Sequence, residues 1–210
     1  TLKIRSHDGF QPSHGEVFTV LDSTSATHDS SFSVVEPTSF NAGISFIQSS
    51  TSDGVSISAF VTPIIYVDAD ACPVKDEVVR VADRHGLKVY MVSNGGIRPD
   101  GNPLVELVIV AEEPDAADDW IAEHMSSPDI CITNDILLAA RCLECGGHAL
   151  KPNGEIFTQD SIGMAVASRN LMQSLRETGE ITGGPKPFSK VDRSQFLDHL
   201  ETVVQSAQKR

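Results

Sequence analysis

From residue 63 to the C-terminus, short apolar runs alternate with helix-like segments, and this alternation constrains the fold more than any other feature. The predicted strands are 64–67, 87–92, 105–110, 129–133 and 148–150. The predicted helices are 73–85, 115–124, 136–145, 161–176 and 193–208. Because strands that alternate with helices pair in parallel, we predict a three-layer α/β domain in which helices cover both faces of a mostly parallel central sheet.

The first sixty residues have a different composition, since one third of them are Ser or Thr. The alternating stretches 17–20 and 44–47 predict weak strands, but no helix pattern occurs there. We therefore expect residues 1–60 to be a poorly ordered extension, either disordered or built from loosely attached hairpins, and residues 61–210 to be the folded domain. We also hypothesise that residues 1–60 are an artefact of start-site assignment, with Val61 encoded by an alternative start codon.

The formal net charge of −13 argues against a simple DNA-binding module, because the field of the whole molecule repels a polyanion. It is compatible with an enzyme that uses its acids to bind metal. The N-terminus lacks the basic and apolar segments of a secretory signal, and no apolar run is long enough to span a membrane. We therefore expect a cytoplasmic protein that does not contact membranes.

Aspartates follow two of the predicted strands. Asp68 and Asp70 follow strand 64–67, and Asp135 follows strand 129–133. In open parallel sheets the binding crevice lies beyond the carboxyl ends of the strands. Because side chains in a strand alternate with a period of two, Asp68 and Asp70 can point the same way. We predict that these three aspartates line one pocket and take part in catalysis.

A further acidic group begins the predicted helix 115–124. Asp115, Asp118 and Asp119 share one helix face, and we assign Asp115 to the helix cap and at least one of the other two to the pocket. Carboxylates that lie close together are stable only if they are protonated or neutralised by a cation. Mg²⁺ or Mn²⁺ suits such a site, and metal-assisted hydrolysis of a phosphodiester is the chemistry that it predicts. Taken singly, each aspartate is more often a helix cap or a solvated side chain.

A loop rich in Gly and Pro places three cations and an aromatic ring close together in the sequence, namely Lys186, Phe188, Lys190 and Arg193. Such a group can contact a phosphate backbone or stack on a base, so we assign it as a candidate nucleic-acid-binding surface. Arg169 on the preceding helix can add to the same surface. The alternative is a structural loop that anchors the last helix.

Cys142, Cys145 and His148 have a spacing that occurs in zinc sites. No second pair of residues at ligand spacing completes a tetrahedral site. We therefore predict that these cysteines are free thiols that pack against the sheet.

Two other functions fit part of the pattern. A haloacid-dehalogenase-type phosphatase would use Asp68 as its nucleophile and Asp70 as its acid and base, and Ser93 resembles the second motif of that family. Cys72 and the absence of a lysine between Lys88 and Lys151 depart from its pattern. A binding module that keeps the fold without catalysis is the third possibility.

Five motifs carry a resemblance to a known family. VDADACPVKDEV, DAADDWIAEH, ITNDILLAARCLE, FTQDSIG and GGPKPFSKVDRSQFL occur in the order found in the YaiI/YqxD family of small bacterial proteins, which belongs with the PIN-like domains. The resemblance covers residues 63–207 and implies the fold of PIN nucleases, which gather acids around Mg²⁺ or Mn²⁺ to cut RNA. It implies that Asp68, Asp135 and either Asp118 or Asp119 form the metal cluster, with Asp70 as an accessory acid. The family itself is uncharacterised.

Overall fold

The computed structural model describes residues 62–70, 72–95, 101–177 and 187–209, together with the backbone of five strands before residue 62. The chain divides into two compact units, residues 1–62 and residues 63–209. The division lies two residues beyond the predicted boundary.

The first unit contains the strands β1 (Leu2–Lys3), β2 (Val17–Asp22), β3 (Val34–Val35), β4 (Ile44–Thr51) and β5 (Gly54–Val61). β5 lies between β2 and β4 and is antiparallel to both, and β1 pairs in parallel with β3. Strands predicted at 17–20 and 44–47 are therefore present. The rest of residues 1–61 lies outside the described part of the chain, so poor order in this extension stays a prediction.

The second unit contains the elements that the alternating pattern predicts. Its strands are β6 (Ile65–Asp68), β7 (Val89–Ser93), β8 (Val105–Ile109), β9 (Ile130–Ile132), β10 (His148–Leu150) and β11 (Ile156–Phe157). Its helices are α1 (Lys75–His85), α2 (Ala116–His124), α3 (Ile136–Glu144), α4 (Gln159–Glu177) and α5 (Lys190–Ala207). The predicted bounds differ from these by three residues or fewer, and only the short strand β11 was not predicted.

The six strands of this unit form one sheet in the order β11-β10-β9-β6-β7-β8. β11 is antiparallel to β10, and every other pair is parallel, which confirms the predicted α/β class. The chain builds outward from β6 through β7 to β8 and then crosses back to place β9 on the other side of β6. The gap between β6 and β9 is therefore a topological switch point, where α/β sheets bind their ligands.

Side chains of β6 alternate between two buried cores, one on each face of the sheet. Ile65 and Val67 are fully buried in the core that α1 and α5 cover. Tyr66 lies in the opposite core, which α2 and α3 cover. Because the period of a strand is two, Asp68 lies on the same side as Tyr66 and so faces α2 and α3.

Local signals begin and end the helices of the α1–α5 layer. α1 ends at Gly86, whose φ of 65° is the left-handed conformation that glycine adopts at least cost. α5 begins with a capping box, in which Ser189 accepts from the amide of Asp192 and the Asp192 carboxylate accepts from the amide of Ser189. The end of α1 agrees with the prediction, whereas α5 begins three residues before the predicted residue 193.

The longest described helices are α4, with 19 residues, and α5, with 18. Neither these nor any other described helix combines the length and the apolar character that crossing a membrane requires. The cytoplasmic location stays a prediction.

Candidate acidic site at the carboxyl edge of the sheet

A buried hydroxyl group links the two strand ends at the switch point. Thr133, which follows β9, donates its hydroxyl to Asp68 Oδ2 over 2.9 Å, and Oγ1 of Thr133 in turn accepts from the Asp135 amide over 2.9 Å. Thr133 is only 1% exposed. The end of β6 and the start of α3 are therefore held in a fixed relation by one side chain.

Asp135 is the N-cap of α3. Its Oδ1 accepts from the amides of Leu137 over 2.6 Å and Leu138 over 3.1 Å, which satisfies two of the free amides at the helix start. Its Oδ2 lies 3.9 Å from Nη2 of Arg169 on α4, which is too long for a hydrogen bond. One oxygen of Asp135 therefore has a structural role, and the other can interact with a ligand.

Asp118 brings a third element, α2, to this group. Its pKa is raised to about 6, mainly by burial and in addition by the Asp68, Asp135 and Asp115 carboxylates, whereas Arg141 acts in the opposite direction. A carboxyl group whose pKa is raised by Asp68 and Asp135 must lie near both of them. Asp118 is therefore within electrostatic range of Asp68 and Asp135.

Asp119, the other half of the predicted pair, has a different environment. Its side chain is 59% exposed, and its Oδ1 lies 2.7 Å from Nη1 of Arg141 on α3. The structure therefore favours Asp118 over Asp119 as a member of the acidic group, because Asp119 is already neutralised by an arginine at the surface.

The pKa of Asp68 is also raised. Burial is the main cause, and the Asp70 and Asp135 carboxylates add to it, while the hydrogen bond from Thr133 opposes it. No described cation lies within ion-pair distance of Asp68 or Asp118. Repulsion between these carboxylates is therefore only partly compensated.

The predicted alignment of Asp70 with Asp68 assumed that both residues lie in the strand. β6 ends at Asp68, so the period of two does not extend to Asp70, which lies in the following turn. Its Oδ1 accepts from the Ser93 hydroxyl, and its Oδ2 accepts from the Asn94 amide over 3.3 Å. Asp70 thus ties this turn to the end of β7 and lies at the margin of the acidic group.

The donor atoms of Asp68, Asp118, Asp135 and Thr133 are all oxygens, which Mg²⁺ and Mn²⁺ prefer. Among the described residues, however, no group of three or more His, Cys, Asp and Glu side chains is arranged to hold a metal ion. The chemistry of the donor set fits such an ion, but the carboxylates would have to rotate toward a common point to bind it.

The predicted nucleic-acid-binding loop is only partly described, since Lys186 lies outside the described residues. Arg193 Nη1 contacts Oε2 of the buried Glu77 on α1 over 2.6 Å, and its guanidinium group lies 5.3 Å from the centre of the Phe188 ring. Lys190 is exposed at the start of α5. Arg193 and Phe188 thus fit the structural alternative, in which the loop anchors the last helix.

The prediction that the cysteines pack against the sheet is confirmed for Cys142 and is wrong for Cys145. Cys131 and Cys142 are fully buried in the core under α2 and α3, and all four cysteines are free thiols. Cys145 is exposed, and its thiol donates to the carbonyl oxygen of Cys142 over 3.1 Å.

Sequence reasoning missed the residues that hold the site in place. It did not assign Arg141 as the partner of Asp119, Ser93 as the partner of Asp70 or Thr133 as the partner of Asp68. Arg141 and Asp119 are 22 residues apart on different helices. No sequence periodicity links two such positions, so only the fold reveals the pair.

Comparisons with known proteins agree on one family. The sequence profile of the uncharacterized BCR, YaiI/YqxD family matches residues 66–206. A UPF0178 protein of Parvibaculum lavamentivorans is 62% identical over 146 residues, which cover 70% of this chain and 96% of the relative. UPF0178 proteins of Rhodopseudomonas palustris strain TIE-1 and Ruegeria pomeroyi are 56% and 54% identical, covering 70% and 69% of this chain and 92% and 96% of theirs. No solved structure matches the chain at a significant level.

Proposed function

The chain belongs to the YaiI/YqxD family, and we propose that it is a Mg²⁺- or Mn²⁺-dependent nuclease that cleaves RNA. One observation carries the proposal: Asp68, Asp118 and Asp135 come from β6, α2 and the start of α3, yet Thr133 joins Asp68 to Asp135, and burial together with the Asp68 and Asp135 carboxylates raises the pKa of Asp118. They do so beside the switch point between β6 and β9, where ligands of such sheets bind. Raised pKa values in a group of carboxylates are typical of functional sites.

The side chains around the acids have distinct roles in this proposal. Thr133 holds Asp68 in one orientation through its hydroxyl group. Oδ1 of Asp135 accepts hydrogen bonds from amides of α3, and its Oδ2 is available to a ligand. Asp118 contributes a third carboxylate from α2. A bound divalent ion would supply the activation of water and the neutralisation of charge that phosphodiester hydrolysis needs.

The choice of RNA as substrate rests on the resemblance to PIN nucleases. A net charge of −13 is compatible with RNA binding only if the phosphate groups contact local cations or a bound divalent ion. Asp70 is an accessory acid in this proposal, because Ser93 and Asn94 fix it at the margin of the group.

The test is cleavage of a labelled RNA by the full chain with MnCl₂ or MgCl₂, with excess chelator as the blank. Asp68→Asn, Asp118→Asn and Asp135→Asn are each expected to lower the cleavage rate by about 100-fold or more, because each removes one charged donor from the site. Asp119→Asn is the matched control, since it makes the same chemical change one residue away. We expect it to stay within about threefold of the wild type, because Asp119 only pairs with Arg141 at the surface.

Two results would refute the nuclease. One is the absence of metal-dependent cleavage of single-stranded and structured RNA. The other is an equal loss of rate in Asp118→Asn and Asp119→Asn, which would mean that the acidic group has no special role. Thermal melting of each variant shows whether a loss of rate comes from unfolding.

Two further measurements distinguish the nuclease from the two alternative functions. A haloacid-dehalogenase-type phosphatase would hydrolyse small phosphomonoesters and leave a phosphate trapped on Asp68. A non-catalytic PIN-like module would bind its partner without metal, and binding would survive Asp68→Asn and Asp135→Asn. The hydrogen bonds from Ser93 to Asp70 and from Thr133 to Asp68 are compatible with all three functions, so they favour neither alternative over the nuclease.

A further inference from the structure

Two arginines lie close to the acidic group, and they are held very differently. Arg141 contacts Asp119 over 2.7 Å, which is a full hydrogen-bonded ion pair. Arg169 is 3.9 Å from Asp135, beyond hydrogen-bond distance, and its side chain is 34% exposed. Arg169 therefore adds positive charge at the edge of the acids while its guanidinium group can still turn toward a ligand.

A second arginine lies on the same face of α4. Arg169, Met172 and Arg176 are at positions i, i+3 and i+7, which share one side of a helix. A separation of seven residues places the two arginines about 10 Å apart along the helix axis. Arg176 is exposed, and Met172 is 46% exposed. This face of α4 thus has an apolar side chain between two cations, and it starts at the acidic site.

We propose that this face of α4, defined by Arg169, Met172 and Arg176, binds the backbone of single-stranded RNA and leads it to the acidic site. The inference rests on the proposed nuclease function and names the surface that its substrate uses. Arginine binds phosphate through two parallel hydrogen bonds, so each guanidinium group can hold one phosphate. An apolar side chain between them suits an unstacked base, which single strands offer and duplexes do not.

The contacts of Arg193 also favour this surface over the loop predicted from the sequence. Arg193 is hydrogen-bonded to the buried Glu77 and contributes to the packing of α5 on α1. Moving Arg193 onto RNA would leave a buried carboxylate without its cation, which is costly. Within the described part of the chain, Arg169 has only a long contact with Asp135, so binding a phosphate costs it little.

The test measures RNA binding separately from cleavage. Every protein is the full chain with Asp68→Asn, and the probe is a 5′-fluorescein single-stranded RNA followed by fluorescence anisotropy over a range of KCl concentrations. The test variants are Arg169→Gln, Arg176→Gln and their combination. Arg80→Gln is the matched control, because Arg80 is exposed on α1, in the opposite layer, and its loss changes the net charge as much as each single substitution on α4 does.

We expect the double variant to bind the RNA at least about tenfold more weakly, with a salt-dependence slope lower by about 1.4, the value for two phosphate contacts to a single strand. Arg80→Gln should stay within about twofold of its parent, because an arginine that contacts no phosphate adds only to the screened long-range field.

A double variant that binds like Arg80→Gln overturns the inference, and the nuclease then stands if the wild type still cleaves RNA with Mn²⁺. Absence of RNA binding by the Asp68→Asn chain also overturns it. Arginine-dependent binding without cleavage by the wild type supports the inference and refutes the nuclease.

Discussion

The two faces of the central sheet treat their carboxylates in opposite ways. On the α1–α5 face, Glu77 and Glu201 each have a basic partner on the facing helix. Glu77 contacts Arg193 over 2.6 Å, and Glu201 contacts Arg84 over 3.0 Å and His85 over 2.7 Å. These pairs join α1 to α5 and so serve the packing of the fold.

On the α2–α4 face the acids at the sheet edge are close to one another instead. Burial and neighbouring carboxylates raise the pKa of Asp68 and Asp118, and none of the described cations pairs with either. Mutual repulsion of this kind costs stability, so a fold keeps it only where the charges have another use. The difference between the faces identifies which acids are structural and which are candidates for function.

The largest effect is expected when a basic partner is removed on the α1–α5 face. Arg193→Gln leaves Glu77, whose side chain is only 5% exposed, without its cation. The melting temperature is expected to fall by roughly 5–10 °C, because an unpaired buried carboxylate is costly. Arg84→Gln is the control, since Arg84 is 61% exposed and Glu201 keeps its contact with His85. Equal decreases in melting temperature for the two variants would show that the pair of Glu77 and Arg193 stabilises the fold no more than an exposed ion pair does.

A divalent cation should stabilise only the acidic face. At tenfold its Kd, Mn²⁺ would add about 1.4 kcal/mol and raise the melting temperature by about 3–6 °C at pH 8, since it binds the folded chain. Asp135→Asn should lose most of this increase, and Asp119→Asn should keep it. An increase that survives Asp68→Asn, Asp118→Asn and Asp135→Asn would place the ion elsewhere.

Without metal, Asp118→Asn is expected to stabilise the protein at high pH. The folded-state pKa of Asp118, about 6, lies above its ordinary value of 3.8, so ionised Asp118 destabilises the fold. This penalty is absent below pH 4, grows as the pH rises through 6, and is complete above it. After solvent screening we expect the variant to gain about 1 kcal/mol, or about 3 °C, at pH 8 and nothing at pH 4.

Melting curves at both pH values in the presence of chelator check this expectation. Asp119→Asn should show no such gain, because Asp119 is paired with Arg141. A gain for Asp118→Asn that is the same at pH 4 and pH 8 would mean that repulsion between carboxylates is not its cause.

The smallest effect is expected from Glu201. Hydrogen bonds from Gln205 and His85, together with the nearby charges, lower its pKa below the ordinary value of 4.5. This pairing stabilises the fold above pH 4.5, and the contribution is lost as the pH falls through the lowered pKa. Glu201→Gln should therefore lower the melting temperature at pH 7 by about 1–2 °C, with little change at pH 3. A decrease that is larger at pH 3 than at pH 7 would contradict this assignment.

Most elements of the fold were predictable because their signals are local. The apolar run before Asp68 marks β6, and Gly86 marks the end of α1. β11 was missed because two residues are too few to show a period. The predicted start of α1 at residue 73 was two residues early, since Pro73 and Val74 lie in a turn before the first helical residue.

The sequence by itself determined that Asp68 and Asp135 lie near one edge of the sheet, because both follow strands and parallel strands end on the same side. Only the tertiary structure decided that Asp118 and not Asp119 joins them, and that Arg193 pairs with Glu77. The physical reason is that neighbouring residues on a helix point about 100° apart, and the rotation of a helix about its axis is set by contacts with distant segments. The positions of strands along the chain can be read from local pattern, whereas which side of a helix faces a site depends on the whole core.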